Sequence, residues 1–335
     1  MSANVPIIRL IDRFGRLHTS VRLSVTDRCN IRCFYCMPAV DAEFVEKSRL
    51  LSFEEIARLA SLLVNRCGVR DIRLTGGEPL VRRQLDRLIA MLSRIEGLAD
   101  LSLTTNGILL GEQAWGLRQA GLKRINISLD TLDEKVFQRI SRRSGLEKTI
   151  AGIDRAIECG FESIKLNALA IRGITEQEVG RLVEFALQRQ VTIRFIEFMP
   201  LDADRAWRTD NVLDGDSLLQ MIESRFGKVV PIPRDDPAQP AEEFLVGEGR
   251  VGIIRSVTVP FCDQCNRLRI TADGSIRNCL FAKSETPLRD LMRSGASDDE
   301  LIAKIQQAIA EKKAAHGIDQ TGFEPPERPM YAIGG

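Results

Sequence analysis

Three cysteines fall within eight positions near the start of the chain: Cys29, Cys33 and Cys36, spaced C-x3-C-x2-C, with Tyr35 just before the last. A second triplet, Cys262, Cys265 and Cys279, is spaced C-x2-C-x13-C. Soft thiolates grouped in this way select zinc or an iron–sulfur cluster. Structural zinc takes four ligands, usually Cys or His. The chain has only two histidines, His18 and His316, and neither lies in a ligand-like pair. A triplet without a fourth partner suits a cubane held through three of its irons, with the fourth iron left for a small ligand. For the second triplet a zinc knuckle remains open on the residues alone. The other two cysteines, Cys67 and Cys159, each precede a glycine at a helix end and read as small buried hydrophobes.

Cations accompany these thiols. Arg267 and Arg269 stand at i and i+2 after Cys265, so an extended strand would point both to one side. Arg22 shares a face with Ser24 and Thr26, Arg73 with Thr75, and Lys165 with Asn167. Solvated surface is the ordinary place for an arginine. Several cations on inward strand faces would instead call for an anion, and a polyphosphate matches the arginine fork. The residues leave both readings open. Gly76-Gly77, at the end of a strand-like stretch, would either make a tight turn or let a ligand approach bare backbone.

Around these groups the chain alternates strand-like and helical patterns between about residues 20 and 230. Strands are expected at 21–26, 71–75, 101–105, 124–130, 163–171 and 192–199. Between them Ser52 and Glu55 form a capping box that opens a helix closed by Gly68. A second helix is expected to open in the same way at Thr175. Strand–helix repetition implies parallel strands joined by right-handed crossovers. Six units are too few for the eightfold closed barrel, so an open doubly wound sheet and a partial barrel both remain. Residues 231–243, rich in Pro and acid, read as a linker or surface loop. A strand at 251–259 and a helix at 297–315 follow. The expected division is 1–230 and 231–335.

Composition narrows the function classes. Of 335 residues, 47 are Lys or Arg and 46 Asp or Glu, a net charge of +1, which gives no field for a nucleic-acid polymer. No run approaches the roughly 18 apolar residues of a membrane span, and the N-terminus lacks a signal-peptide core. A cytoplasmic protein is expected, where cysteines serve metals or catalysis rather than disulfides.

The triplet in SVTDRCNIRCFYCMP, with its aromatic before the last Cys, resembles that of the radical S-adenosylmethionine (SAM) superfamily. Together with RLTGGEPL, LTTNG, INISLD, FIEFMP, the second triplet with its RLR, and the terminal Gly334-Gly335, all in order, the chain is similar to the GTP 3′,8-cyclase family of molybdenum cofactor biosynthesis. The resemblance implies a partial (β/α)6 TIM-type barrel with a smaller C-terminal α+β region carrying a second cluster. It implies that Cys29, Cys33 and Cys36 hold the 4Fe–4S cluster that binds SAM, with Tyr35, Gly77, Ser128 and Met199 contacting SAM. Cys262, Cys265 and Cys279 would hold the second 4Fe–4S cluster. Arg22, Arg73, Thr104, Lys165, Arg267, Leu268 and Arg269 would bind GTP, and Arg267 and Arg269 would assist ring closure. A 5′-deoxyadenosyl radical would take the ribose 3′ hydrogen before the new bond to C8 forms. The glycine tail would reach the active site. An electron donor, a downstream cyclic pyranopterin monophosphate synthase and a homodimer are the implied partners. Another radical SAM enzyme with one auxiliary cluster, or a non-catalytic zinc or iron–sulfur regulator, are the competing readings.

Overall fold

A computed structural model describes residues 6–334. Six parallel strands run through the sheet in chain order: β1 (Ser20–Ser24), β2 (Asp71–Thr75), β3 (Asp100–Thr105), β4 (Arg124–Ser128), β5 (Ser163–Ala170) and β6 (Thr192–Glu197). Parallel neighbours need crossovers, and the helices α1 (Phe53–Cys67), α2 (Leu85–Leu92), α3 (Leu110–Gln119), α4 (Glu134–Ser141), α5 (Leu146–Glu158) and α6 (Thr175–Gln188) lie on them. Then α7 (Gly215–Phe226) leads to a hairpin, β7 (Val229–Ile232) and β8 (Glu242–Val246), and to β9 (Gly249–Ile254), which joins β6 in parallel. At the opposite edge β10 (Arg267–Ile270) joins β1 in parallel and continues antiparallel into β11 (Ser275–Arg277) and β12 (Thr286–Pro287). The six-strand core is therefore a partial barrel, with residues beyond 230 extending both of its edges. The strand order runs from β12 to β7 without closing. Helices α8 (Arg289–Arg293), α9 (Asp298–Ala310) and α10 (Met330–Ile333) complete the described chain, and none of its helices is long and apolar enough to cross a membrane.

The strands separate two chemistries by their period of two. Val21, Leu23, Ile72, Leu74, Leu103, Ile125, Ile127, Leu166, Ile193 and Phe195 are at most 1% exposed and pack into one continuous core with the helices. Truncating one of them to Ala would cost about 2–5 kcal/mol. The alternate positions carry the cations. Register aligns Arg269 with Arg22, Arg22 with Arg73, Arg73 with Ser102 and Ser102 with Arg124, a single rank across five strands.

Local signals predicted α1 well. Ser52 Oγ accepts from Glu55 N at 3.1 Å, Glu55 Oε2 accepts from Ser52 N at 2.7 Å, and Gly68 ends the helix at φ 73°. Cys67 and Cys159 are buried thiols, as expected. Four expectations are corrected. The Thr175 hydroxyl does not cap α6: it donates to Leu169 O and accepts from Ile171 N, while Glu178 accepts from Thr131 and Leu132. The strand expected to reach 259 stops at Ile254, because Val257 N and Thr258 N turn to the buried Glu197 carboxylate. The helix expected to reach 315 stops at Ala310, because Arg16 takes the carbonyls of Lys313 and Ala314. Residues 231–243 are not merely a linker, since both ends are strands of the β7–β8 hairpin.

Candidate active site

The first cysteines lie on the loop that leaves β1, and this loop is zipped to the one leaving β2. Gly77 N donates to Thr26 O at 2.7 Å and Glu78 N to Arg28 O at 2.8 Å. A Cβ on Gly76 would stand 2.5 Å from Thr26 O, and one on Gly77 would stand 2.6 Å from both Asp27 O and Arg28 O. The glycines are thus demanded by loop against loop, which corrects the expectation of a tight turn or a ligand's approach as the sole reason for them. Within the cysteine loop, Cys36 N and Met37 N both donate to Cys33 O at 2.9 Å.

Glu78 ties this pair of loops to the next. Its carboxylate accepts from Leu80 N, Thr105 Oγ1 and Asn106 N at 3.0, 2.7 and 2.7 Å. Burial raises its pKa to about 7 against the lowering of those bonds. The Tyr35 hydroxyl donates to Asp130 Oδ2 at 2.7 Å, and Asp130 Oδ1 accepts from Leu169 N, so the aromatic preceding Cys36 is pinned to the ends of β4 and β5.

The second triplet comes from the turn between β9 and β10 and from the segment after β11. Cys265 N donates to Cys262 O at 3.1 Å. Arg267 Nη2 stands 3.6 Å and Lys312 Nζ 3.3 Å from Cys265 Sγ. Burial raises that thiol's pKa, but Arg267 and Lys312 outweigh it and bring it down to about 6. At the first triplet burial dominates: Cys29 is pushed up to about 11, and Cys33 and Cys36 are raised as well. A thiolate there needs a compensating positive centre, which is what iron supplies.

All six cysteines line one cavity of ≈ 590 Å³, enclosed by the strand ends and the β7–β8 connection. Tyr35, Gly77, Ser128 and Met199 line it, and so do Arg22, Arg73, Thr104, Lys165, Arg267 and Arg269. Leu268 does not: it is 1% exposed and turns into the core, leaving its backbone as its only link to that face. Reading β10 by its period of two separates Leu268 from its two neighbours.

Electrostatically the floor of the cavity is a cluster of buried cations. Burial, and then the charge of a neighbouring arginine, lowers the pKa of Arg194 and Arg269 to about 9 and that of Arg22 well below its usual value. Arg194 donates to Asn126 Oδ1 at 2.6 Å and Asn167 Oδ1 at 3.0 Å, not to a carboxylate. Two cations do have acids, Lys165 with Glu243 at 3.2 Å and Arg124 with Asp100 at 3.2 Å. Part of the cationic charge is therefore already compensated within the chain. What remains uncompensated is suited to an anion of several charges.

Sequence reasoning missed Arg194, which the same alternation would have found between Ile193 and Phe195. It also missed Asp236, Ala238, Gln239 and Pro240, which line the cavity from a loop without any local signature. Gly334 O accepts from Arg269 Nη1 at 2.5 Å, so the tail enters the site, while Gly335 lies outside the described residues.

The donor set fits clusters. None of the eight cysteines is bridged to another. Among the described residues, no group of three or more His, Cys, Asp or Glu is gathered tightly enough to hold a single ion. Three thiols per site match a cubane held through three of its irons.

Two family models match the chain in succession: the Radical SAM superfamily over residues 23–186 and Molybdenum Cofactor Synthesis C over residues 191–318. A protein of Rhodopirellula baltica named GTP 3′,8-cyclase is 64% identical over 98% of this chain and 92% of its own length. One of the same name from Paenarthrobacter nicotinovorans is 44% identical over 98% and 97%. Among solved structures, Streptococcus suis SuiB bound to S-adenosylmethionine superposes with a TM-score of 0.61 at 13% identity, covering 89% of this chain and 69% of that one. Native anSMEcpe with bound AdoMet gives 0.56 at 14% identity, covering 84% and 82%. These two show likeness of fold.

Proposed function

The chain belongs to the GTP 3′,8-cyclase family of radical SAM enzymes, and from that premise we propose how its own residues divide the work of converting GTP to (8S)-3′,8-cyclo-7,8-dihydroguanosine 5′-triphosphate, the first step of molybdenum cofactor biosynthesis. Cys29, Cys33 and Cys36 hold one 4Fe–4S cluster, and Cys262, Cys265 and Cys279 hold the other. SAM bound at the first cluster supplies, on reduction, a carbon radical able to take a hydrogen atom from the ribose. Tyr35, Gly77, Ser128 and Met199 seat SAM at the cysteine-loop rim.

The rank of cations holds the triphosphate. Arg22, Arg73, Arg267 and Arg269, with Lys165 and the newly placed Arg194, present forks and an ammonium along the strands' inner face. Their mutual repulsion, offset at Lys165 by Glu243, is relieved further when the anion arrives, so binding energy is concentrated on the phosphates and orients the ribose. Thr104, two residues beyond the rank on β3 and in register with Asn126, adds a hydroxyl to the cavity wall. Arg267 and Arg269, closest in sequence to the second triplet, also face the reacting end. In this reading residues 1–230 supply the barrel and the SAM site, and residues 231–335 supply the second cluster, two of the phosphate arginines and the tail. Cytoplasmic location, a homodimer, an unidentified reductant and hand-over to cyclic pyranopterin monophosphate synthase belong to the same reading.

The observation that carries it is convergence: both cysteine triplets and the arginine rank line one cavity. The test is anaerobic reconstitution with iron and sulfide, followed by SAM, GTP and a reductant. Chromatography with mass detection should find 5′-deoxyadenosine together with an isomer of GTP of altered retention. SAM cleavage with unaltered GTP would point instead to a different radical enzyme.

A further inference from the structure

Lys312 is 2% exposed and lies just beyond α9, where the ordinary fate of a lysine is solvent. Its ammonium has three partners: Arg267 O at 2.9 Å, His18 Nε2 at 2.9 Å and Cys265 Sγ at 3.3 Å. An ammonium carries three donors and a neutral amine two, so three acceptors are satisfied only by the charged form. The histidine is arranged to serve it. His18 Nδ1 stands 3.2 Å from Leu10 O, which accepts its N–H, and this leaves the Nε2 lone pair for Lys312. Burial, with Lys312 alongside, pushes the imidazole pKa down to about 4, so the ring is neutral.

The backbone around Lys312 is fixed from the other end of the chain. Arg16 donates at 2.7 Å to each of Cys262 O, Lys313 O and Ala314 O, and its Nε is held by Asp12 at 2.6 Å. One guanidinium thus clamps the turn that carries Cys262 and Cys265 to the segment that carries Lys312. Asp12, Arg16 and His18 lie ahead of β1, around an antiparallel bridge between Ile11 and Leu17, and ahead of the segment matched to the radical SAM model. Nothing in the proposed GTP site uses them.

Resting on the assignment of the second cluster to Cys262, Cys265 and Cys279, we propose that Lys312 is a positioning residue whose fixed positive charge at the Cys265 sulfur raises that cluster's reduction potential, with His18 and Arg16 holding it in place. A cation beside a ligand sulfur stabilises the extra electron of the reduced cluster, and burial strengthens the effect. The charge contacts Cys265 and is felt by Cys279, both ligands of the second cluster and neither of the first, so it separates the potentials of the two clusters.

The test uses the reconstituted holoenzyme. Iron content of the parent is read first: iron for only one cluster overturns the cluster assignment itself. With both loaded, midpoint potentials are taken by anaerobic titration followed by electron paramagnetic resonance. Lys312→Met, of similar length but uncharged, should lower the second cluster's potential by a tenfold change in its one-electron equilibrium, about 59 mV, and leave the first unchanged. Lys312→Gln should follow it, and Lys312→Arg should recover part of the shift. Full iron content with the parent's potential in Lys312→Met and Lys312→Gln overturns this inference and leaves the cluster assignment standing. Should Lys312→Met fail to load, His18→Leu carries the test. It keeps the lysine but removes its holder, so a smaller drop is expected there, His18→Gln should restore it, and a parent-like potential in His18→Leu overturns the proposal.

Discussion

Arg194 has Ile193 and Phe195 in the core on either side, yet its own guanidinium faces the cavity and meets only two asparagine oxygens. Burial and the charge of Arg73 lower its pKa to about 9. For a base, a folded-state pKa below the unfolded one means that the protonated form is disfavoured by folding, so at neutral pH the charge costs stability. Arg194→Met should therefore raise the melting temperature of the cluster-free protein while weakening GTP, because a charge-assisted hydrogen bond is worth about 1.5–3 kcal/mol. The expected increase in KM is roughly ten- to a hundredfold, read by steady-state kinetics beside a thermal melt. Unaltered KM would remove Arg194 from the phosphate site. Ligand counting gives a second expectation. Cys279→Ser should lose about half of the iron and all cyclised product, while 5′-deoxyadenosine still forms, because the first triplet is untouched. Parent-like iron in that variant would dissociate Cys279 from the second cluster.

At the scale of elements, the strand-end loops work because each is tied to its neighbour, and Glu78 is the knot. It takes two backbone N–H groups and a hydroxyl from the ends of β2 and β3 while being 1% exposed. Glu78→Gln places an amide N–H where a donor already points, which should cost about 1–3 kcal/mol. Its pH dependence is specific. The folded pKa, about 7, lies above the ordinary 4.5, so between those values the native state binds the extra proton and stability falls as pH rises. Parent minus variant, measured by denaturant unfolding of the cluster-free protein from pH 4.5 to 7.5, should decline by up to about 1.4 kcal/mol per pH unit and then level off. A flat difference would mean that the carboxyl is ionised throughout. Such knots also mark how far the sequence could be read. The six central strands, the α1 capping box and the cysteine loops were legible because their signals lie within a few residues of one another. The i, i+2 spacing placed Arg267 and Arg269 together on the cavity face. The pairing of β10 with β1 and of β9 with β6 joins segments far apart in the chain, and no local pattern encodes that choice. The same is true of the β7–β8 loop over the cavity, and of Arg16 meeting Lys313 and Ala314.

Across the whole molecule, the last residues return to the centre. Arg328 bonds Glu285 at 2.6 Å and Ala332 O at 2.8 Å, the Tyr331 ring meets Phe44 and its hydroxyl donates to Glu43 O, and Ile333 packs with Leu201 and Phe281. These pegs set Gly334 between Ser24 and Thr75, at φ 84°, where a Cβ would come within 2.8 Å of Thr75 Oγ1. Only glycine fits there, and its carbonyl occupies the Arg269 fork. Anchor and function are therefore separable. A chain ending at Ile333 keeps every peg, so its melting temperature and iron content should match the parent's. It loses the carbonyl that orients Arg269, worth about 1.5–3 kcal/mol as a charge-assisted bond, so cyclised product should fall roughly ten- to a hundredfold. A chain ending at Glu327 loses the pegs as well and should melt at a lower temperature. Product formed per 5′-deoxyadenosine released is the measurement that decides. If the Ile333-terminated chain stays coupled like the parent, the tail serves packing alone, and Arg269 needs no partner from the C-terminus.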